Sequence, residues 1–203
     1  QLEQQQPVPA LRTLEALLAA EPGFADGYDV MGRAQVMQGN LADALETYRT
    51  AAELTPGAIR RQQTLGMLAF YNGDHATAAK ALERACILGQ GSKMFDMQSL
   101  VLLAVTRFRA KDSKGLRRCV VDLENACEKA PGSLRLLRML AIVQVFDLMM
   151  QRQVGRVIEE LKLLAADISS PGFDVEAACN MMVAVSQLTA AELNLPGAED
   201  WVQ

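Results

Sequence analysis

The chain has 203 residues, half of them hydrophobic and 22% charged, with a formal net charge of −4. No apolar run approaches the ~18 residues of a membrane-spanning helix, and the opening QLEQQQPVPA has neither the basic nor the apolar region of a secretory signal. Cys86, Cys119, Cys127 and Cys179 form no CxxC pair, which argues against a zinc site and for reduced thiols in a cytoplasmic protein; composition also excludes collagen, a coiled-coil rod, a disulfide scaffold and a disordered tail.

Taken in chain order, the elements are helical throughout. Five of the seven prolines precede a glycine, at Pro22, Pro56, Pro131, Pro171 and Pro196, and such pairs punctuate helices. Residues 9–21 read as one helix, closed by Pro22-Gly23. Tyr28 to Met37 forms the next, with Gly39 supplying the positive φ that ends it. Ala44, Leu45, Tyr48, Ala51 and Ala52 lie on one face of a third helix before Pro56. Gln62 to Tyr71, ended by Gly73, and a helix carrying Ala78, Leu82 and Ala85 repeat that pattern. GQGSKM at 89–94 and AKDSKG at 110–115 are expected to be insertions flanking a helix from Met94 to Arg109. Leu116 to Lys129, Leu134 to Met150, Val154 to Ile168 and Phe173 to Leu193 follow, and Gly197 to Gln203 looks like a helix just beginning. No stretch shows β-type alternation with hairpin turns. The fold class is all-α.

The segments superpose at a fixed step. Ala10, Leu14, Leu17 and Pro22 recur 34 residues later as Ala44, Tyr48, Ala51 and Pro56, and again as Ala78, Leu82, Ala85 and Gln90. Tyr28-x2-Met31-Gly32-x2-Gln35, then Ala44-x3-Tyr48, then Pro56 resembles the tetratricopeptide repeat, as does Gln62-x2-Leu65-Gly66-x2-Ala69 followed by Ala78-x3-Leu82. The resemblance covers residues 10–90; residues 91–203 read as longer, divergent helical repeats of the same single solenoid domain. It implies a right-handed superhelix of about four to five antiparallel helix pairs, expected to be truncated at both ends because the terminal repeats look incomplete. GSKMFDMQSLVLLA and SLRLLRML are also similar to helical-repeat regions that follow a receiver domain in some bacterial response regulators.

In such a superhelix the first helix of each pair lines a concave groove. Helical spacing puts Asp29, Arg33, Val36 and Met37 on that stripe, then Gln63, Met67, Phe70 and Tyr71, then Val101, Val105, Phe108 and Arg109. The stripe is apolar at its centre and bordered by arginines, which Arg135 and Arg138 can extend. It suits a protein or peptide partner with apolar anchors and some acidic character. The Lys and Asn that some tetratricopeptide domains use to hold a C-terminal carboxylate are replaced by Asp29, Arg33 and Gln98. A second feature is the basic cluster Arg107, Arg109, Lys111, Lys114, Arg117 and Arg118 around one turn, which can contact phosphates. The acidic composition and the lack of an adjacent aromatic platform count against nucleic acid.

Catalytic and cofactor motifs are missing from the sequence. His75 is the only histidine, with no HExxH around it, and neither GxxxxGK[ST] nor GxGxxG occurs. No cofactor or metal is expected. The sequence therefore reads as a non-enzymatic protein–protein interaction module. The alternatives are a scaffold or output region of a larger bacterial signalling protein acting by self-association as a homo-oligomer, and nucleic-acid contact through the basic turn.

Overall fold

A computed structural model describes residues 7–89 and 97–168, and every regular element among them is a helix. Where one continuous solenoid domain was expected over 1–203, residue contacts divide the chain into two compact units, Gln1–Asp112 and Ser113–Gln203. The first contains α1 (Pro7–Ala20), α2 (Ala25–Met37), α3 (Leu41–Leu54), α4 (Ile59–Tyr71), α5 (His75–Gly89) and α6 (Met97–Arg109). The second contains α7 (Ser113–Lys129), α8 (Leu134–Met150) and α9 (Val154–Ile168). The helices expected from Phe173 to Leu193 and from Gly197 to Gln203 lie outside the described residues, as does most of the expected insertion at 89–94.

In the first unit α2 packs on α3 and α4 on α5, and the two hairpins join through α3 and α4. The hairpins close tightly because their first helices carry glycine at the crossing. A Cβ added to Gly32 would lie 2.5 Å from the Tyr48 ring, and one added to Gly66 would lie 2.5 Å from Leu82 Cγ. Across from these glycines Ala44 and Ala78 are fully buried, and Leu45, Ala52, Leu65, Leu68, Ala69 and Ala81 complete the core between the hairpins. α1 packs on α2, with buried Leu18 against Gly27, as the second helix of a preceding repeat would.

Four helices end in one and the same turn. After α2, the Gly39 N–H donates to the Val36 carbonyl and the Asn40 N–H to the Gln35 carbonyl, with Gly39 at φ 80°. The pattern recurs after α4 with Gly73 and Asp74, after α6 with Lys111 and Asp112, and after α8 with Arg152 and Gln153. This is the Schellman closure, which needs a left-handed residue at its centre. Lys111 (φ 57°) and Arg152 (φ 56°) fill that place without being glycine. Residues 110–112 are therefore a repeat-closing turn and 113–115 open the next helix, so the segment is not an insertion. α7 starts at Ser113, three residues before the expected Leu116.

Aligning the helices on these turns recovers the slots hidden in the later sequence. The place of Gly32 and Gly66 is taken by Ala104 in α6 and Val145 in α8, both fully buried. The place of Ala44 and Ala78 is taken by Leu116 in α7 and Val157 in α9, again fully buried. In the second unit α8 packs on both α7 and α9, around Leu123, Val143, Phe146 and Met149.

At the start of α5, Asp74 Oδ1 accepts the Thr77 N–H at 3.0 Å, and Arg49 reaches Asp74 Oδ2 at 3.4 Å. Hydrogen bonds from Thr77, then the charge of Arg49, hold the Asp74 carboxyl below its ordinary range. The same helix-capping place in the preceding hairpin is Asn40, whose side chain makes no cap hydrogen bond.

Gly32→Ala and Gly66→Ala are each expected to cost about 1–3 kcal/mol by urea unfolding, since overpacking exceeds the gain in helix propensity. Gly155→Ala, where the added Cβ meets nothing within 4 Å, should not destabilise. Lys111→Gly and Arg152→Gly should each raise stability by about 1 kcal/mol by relieving the left-handed backbone; an unchanged or lower midpoint would contradict the turn assignment.

Candidate functional site

The expected groove residues all fall in the first unit, on α2, α4 and α6. Two side-chain links set these helices side by side. Asp29 of α2 accepts from Arg61 of α4, with Arg61 Nε at 3.0 Å from Oδ2 and 3.1 Å from Oδ1, and Nη2 at 2.8 Å from Oδ2. Arg61 also donates to Asp26 and, at 2.6 Å, to Thr55 Oγ1. Across the other interval, the Arg109 guanidinium of α6 sits 4.7 Å from the centroid of the Phe70 ring of α4. At that range a guanidinium is attracted to the ring face.

Several large apolar side chains on these helices are exposed. Met37 is 88% exposed, Tyr71 67% and Met67 42%, and Val36 is also exposed. Gln63, Met67 and Tyr71 follow one another a turn apart along α4, while Arg33 and Met37 do so along α2. Arg33 is exposed and its Nε donates to the Asp29 carbonyl at 3.3 Å. Gln63 and Val105 are half-buried. Phe70 packs against the core and makes an edge contact with Tyr71, with 5.6 Å between centroids.

Three expected groove residues are placed differently. Asp29 turns sideways into the ion pair with Arg61 instead of standing on the surface. Val101 and Phe108 are buried, at 7% and 6% exposure. The reason for the last two is legible in α6 itself. Leu100, Val101, Leu103, Ala104 and Phe108 are all buried, so that helix is apolar almost all round and its period marks no single outer side.

The basic cluster does not stand as one free patch. Arg107 is only 13% exposed and pairs with Glu83 at 3.0 Å and with Asp112. Arg109 lies over Phe70, and Lys111 is exposed on the turn that ends α6. The remaining members belong to the second unit. There Lys114, Arg117 and Arg118, with Ser113 and Val121, line a shallow hollow of about 260 Å³ on α7.

Arg61 is the residue that sequence reasoning missed. Hydrogen bonding to Asp29, and secondarily to Asp26, raises its pKa further against the opposing effect of burial. The Tyr48 hydroxyl donates to the Asp29 carbonyl at 3.4 Å. Burial, then the charge of Asp29, pushes the Tyr48 phenol up, opposed by Arg33 and Arg61. A visible signal existed in the acidic Asp26 and Asp29 of one first helix and the basic Arg61 in the next, but the 34-residue register does not pair them. His75 begins α5, half-buried beside Phe70, and its Nδ1 is buried without a hydrogen-bond partner. Burial, then Glu124, raises the Cys127 thiol. Among the described residues no group of three or more His, Cys, Asp or Glu is arranged to hold a metal ion, and no helix is long and apolar enough to cross a membrane.

Comparison with solved structures places this architecture. A tetratricopeptide repeat protein from Parabacteroides merdae superposes with a TM-score of 0.63 at 16% identity, covering 92% of this chain and 71% of that one. A double mutant of MamA matches with a TM-score of 0.54 at 16% identity, over 94% of this chain and 89% of the other. YrrB, described as a tetratricopeptide protein with an unusual peptide-binding site, matches with a TM-score of 0.52 at 14% identity, over 88% of this chain and 91% of its own. No protein-family model and no curated protein sequence matches the chain. The fold is that of a tetratricopeptide α-solenoid.

Arg61→Ala is expected to lower stability by about 1–3 kcal/mol in urea unfolding, because it strips the charged hydrogen bonds from Asp29. Asp26→Ala removes only a largely exposed partner and should stay within about 0.5 kcal/mol. Equal effects would mean that the Asp29–Arg61 link does not hold α2 to α4.

Proposed function

We propose that the first unit is a non-enzymatic interaction module that captures a segment of a partner protein along the face of α2, α4 and α6. The observation that carries this reading is the exposure of Met37, Met67 and Tyr71 on first helices joined by the Asp29–Arg61 link and the Arg109–Phe70 stack. Methionine and tyrosine suit capture of a peptide: the thioether adapts to different shapes, and the phenol combines a broad apolar body with a polar tip. Arg61 offsets one of the two negative charges of Asp26 and Asp29, and exposed Arg33, Arg60 and Arg109 leave the face net basic. A partner with apolar anchors and acidic flanks complements it. YrrB, which shares the fold, has a peptide-binding site. The nucleic-acid reading is weaker than the cluster at 107–118 implied, since the charge of Arg107 is already met by Glu83 and Asp112.

The test is selection of peptides from a random displayed library on the purified protein, followed by titration of the enriched peptides. Selected peptides should carry apolar residues and bind the Met37→Ala, Met67→Ala, Tyr71→Ala triple variant at least about tenfold more weakly. Leu134→Ala, in the second unit, should leave their affinity unchanged. Failure to enrich any peptide, or equal binding to the triple variant, would reject the site.

A further inference from the structure

A second site stands out in the other unit. Val120 and Glu124 of α7, Gln144, Asp147 and Leu148 of α8, Gln151 of the following turn, and Arg156 and Glu160 of α9 surround a cavity of about 230 Å³. That is below the ~300 Å³ at which sites for whole drug-sized molecules begin, so it has room for one side chain or a small ligand.

The polar groups around it are already arranged in sequence. Arg156 Nη1 donates to Gln153 Oε1 at 3.0 Å, Gln153 Nε2 to Gln151 Oε1 at 2.7 Å, and Gln151 Nε2 to Asp147 Oδ2 at 2.5 Å. This chain of donors ends on one oxygen of Asp147 and leaves the other. Asp147 Oδ1 is buried and makes no hydrogen bond, and Arg117 Nε meets it only as a long ion pair at 4.0 Å. A buried carboxylate oxygen without a donor is costly, and a charged donor relieves it most.

We propose that this cavity binds a primary alkylammonium group. Its stem would lie against the apolar Val120 and Leu148, and its charge would be met by Asp147 together with Glu124 and Glu160. Acceptors contributed by three different helices suit the three divergent donors of an ammonium better than the planar fork of a guanidinium. The same chemistry can come from a lysine side chain of a partner or from a free alkylamine.

The experiment is a titration of the isotopically labelled full chain, followed by amide NMR shifts at constant ionic strength, with Nα-acetyl-lysine methylamide in one arm and cadaverine in the other. Saturable shifts clustered at Val120, Asp147, Leu148 and Gln151 are expected in at least one arm. The arm that binds tells a partner's lysine from a free amine. Asp147→Asn should weaken that binding about tenfold or more, since a charge-assisted hydrogen bond is lost. Glu160→Gln, further from the buried oxygen's own network, should weaken it less and guards against a folding defect in the first variant. Shifts absent from both arms, or undiminished in Asp147→Asn, would overturn the proposal. Saturation seen only in Arg117→Ala would also overturn it, by assigning the Asp147 oxygen to Arg117.

Discussion

In each N-terminal hairpin a glycine on the first helix sits tight against a bulky side chain on the second, Gly32 under Tyr48 and Gly66 under Leu82. Interiors are packed to crystal-like density, so a contact this close fixes the distance and roll of the two helices together. Once roll is fixed, the same first helix must present its remaining sides to the neighbouring hairpin and to solvent. Met37 and Tyr71 are outward for that reason, and not because their own residue types prefer water. A surface of exposed methionine and tyrosine is thus a consequence of where the small residues sit.

The links between first helices add a second level of order. Within a hairpin, contact is almost wholly apolar, whereas α2 is tied to α4 by Arg61 and α4 to α6 by Arg109 over Phe70. An ion pair that is partly screened from water and geometrically constrained resists sliding, while apolar contacts alone tolerate it. The two kinds of contact therefore divide the work: the glycine crossings set spacing, and the arginines set register along the face. The residues left over, Arg33, Val36, Met37, Met67 and Tyr71, make up the surface proposed to receive a partner.

The second unit meets the same geometric demand with other residues. Val145 stands where the N-terminal hairpin has glycine and Val157 where it has alanine, so its helices pack through side chains of middle size. Arg152 takes the left-handed place that Gly39 and Gly73 fill elsewhere. These exchanges preserve the turn and the burial while erasing the pattern of residue types. Between α7, α8 and α9 they coexist with a polar cavity.

Much of the fold was legible in the residues alone. The positions of α8 and α9 follow from apolar period and flanking turns, and the pairing of α2 with α3 and α4 with α5 follows from the recurrence of Gly and Ala at matching steps. These are local properties, since period, capping and small-residue placement act within a few turns of chain. The division at Asp112, the left-handed Lys111 and the burial of Val101 and Phe108 were decided by tertiary structure. A helix apolar on nearly every side does not encode which side faces out, and an αL lysine carries no compositional mark. The partner of Arg61 was likewise a matter of three dimensions. An arginine offers the same charge to any carboxylate within reach, and only the packed spacing of α2 against α4 selects Asp29.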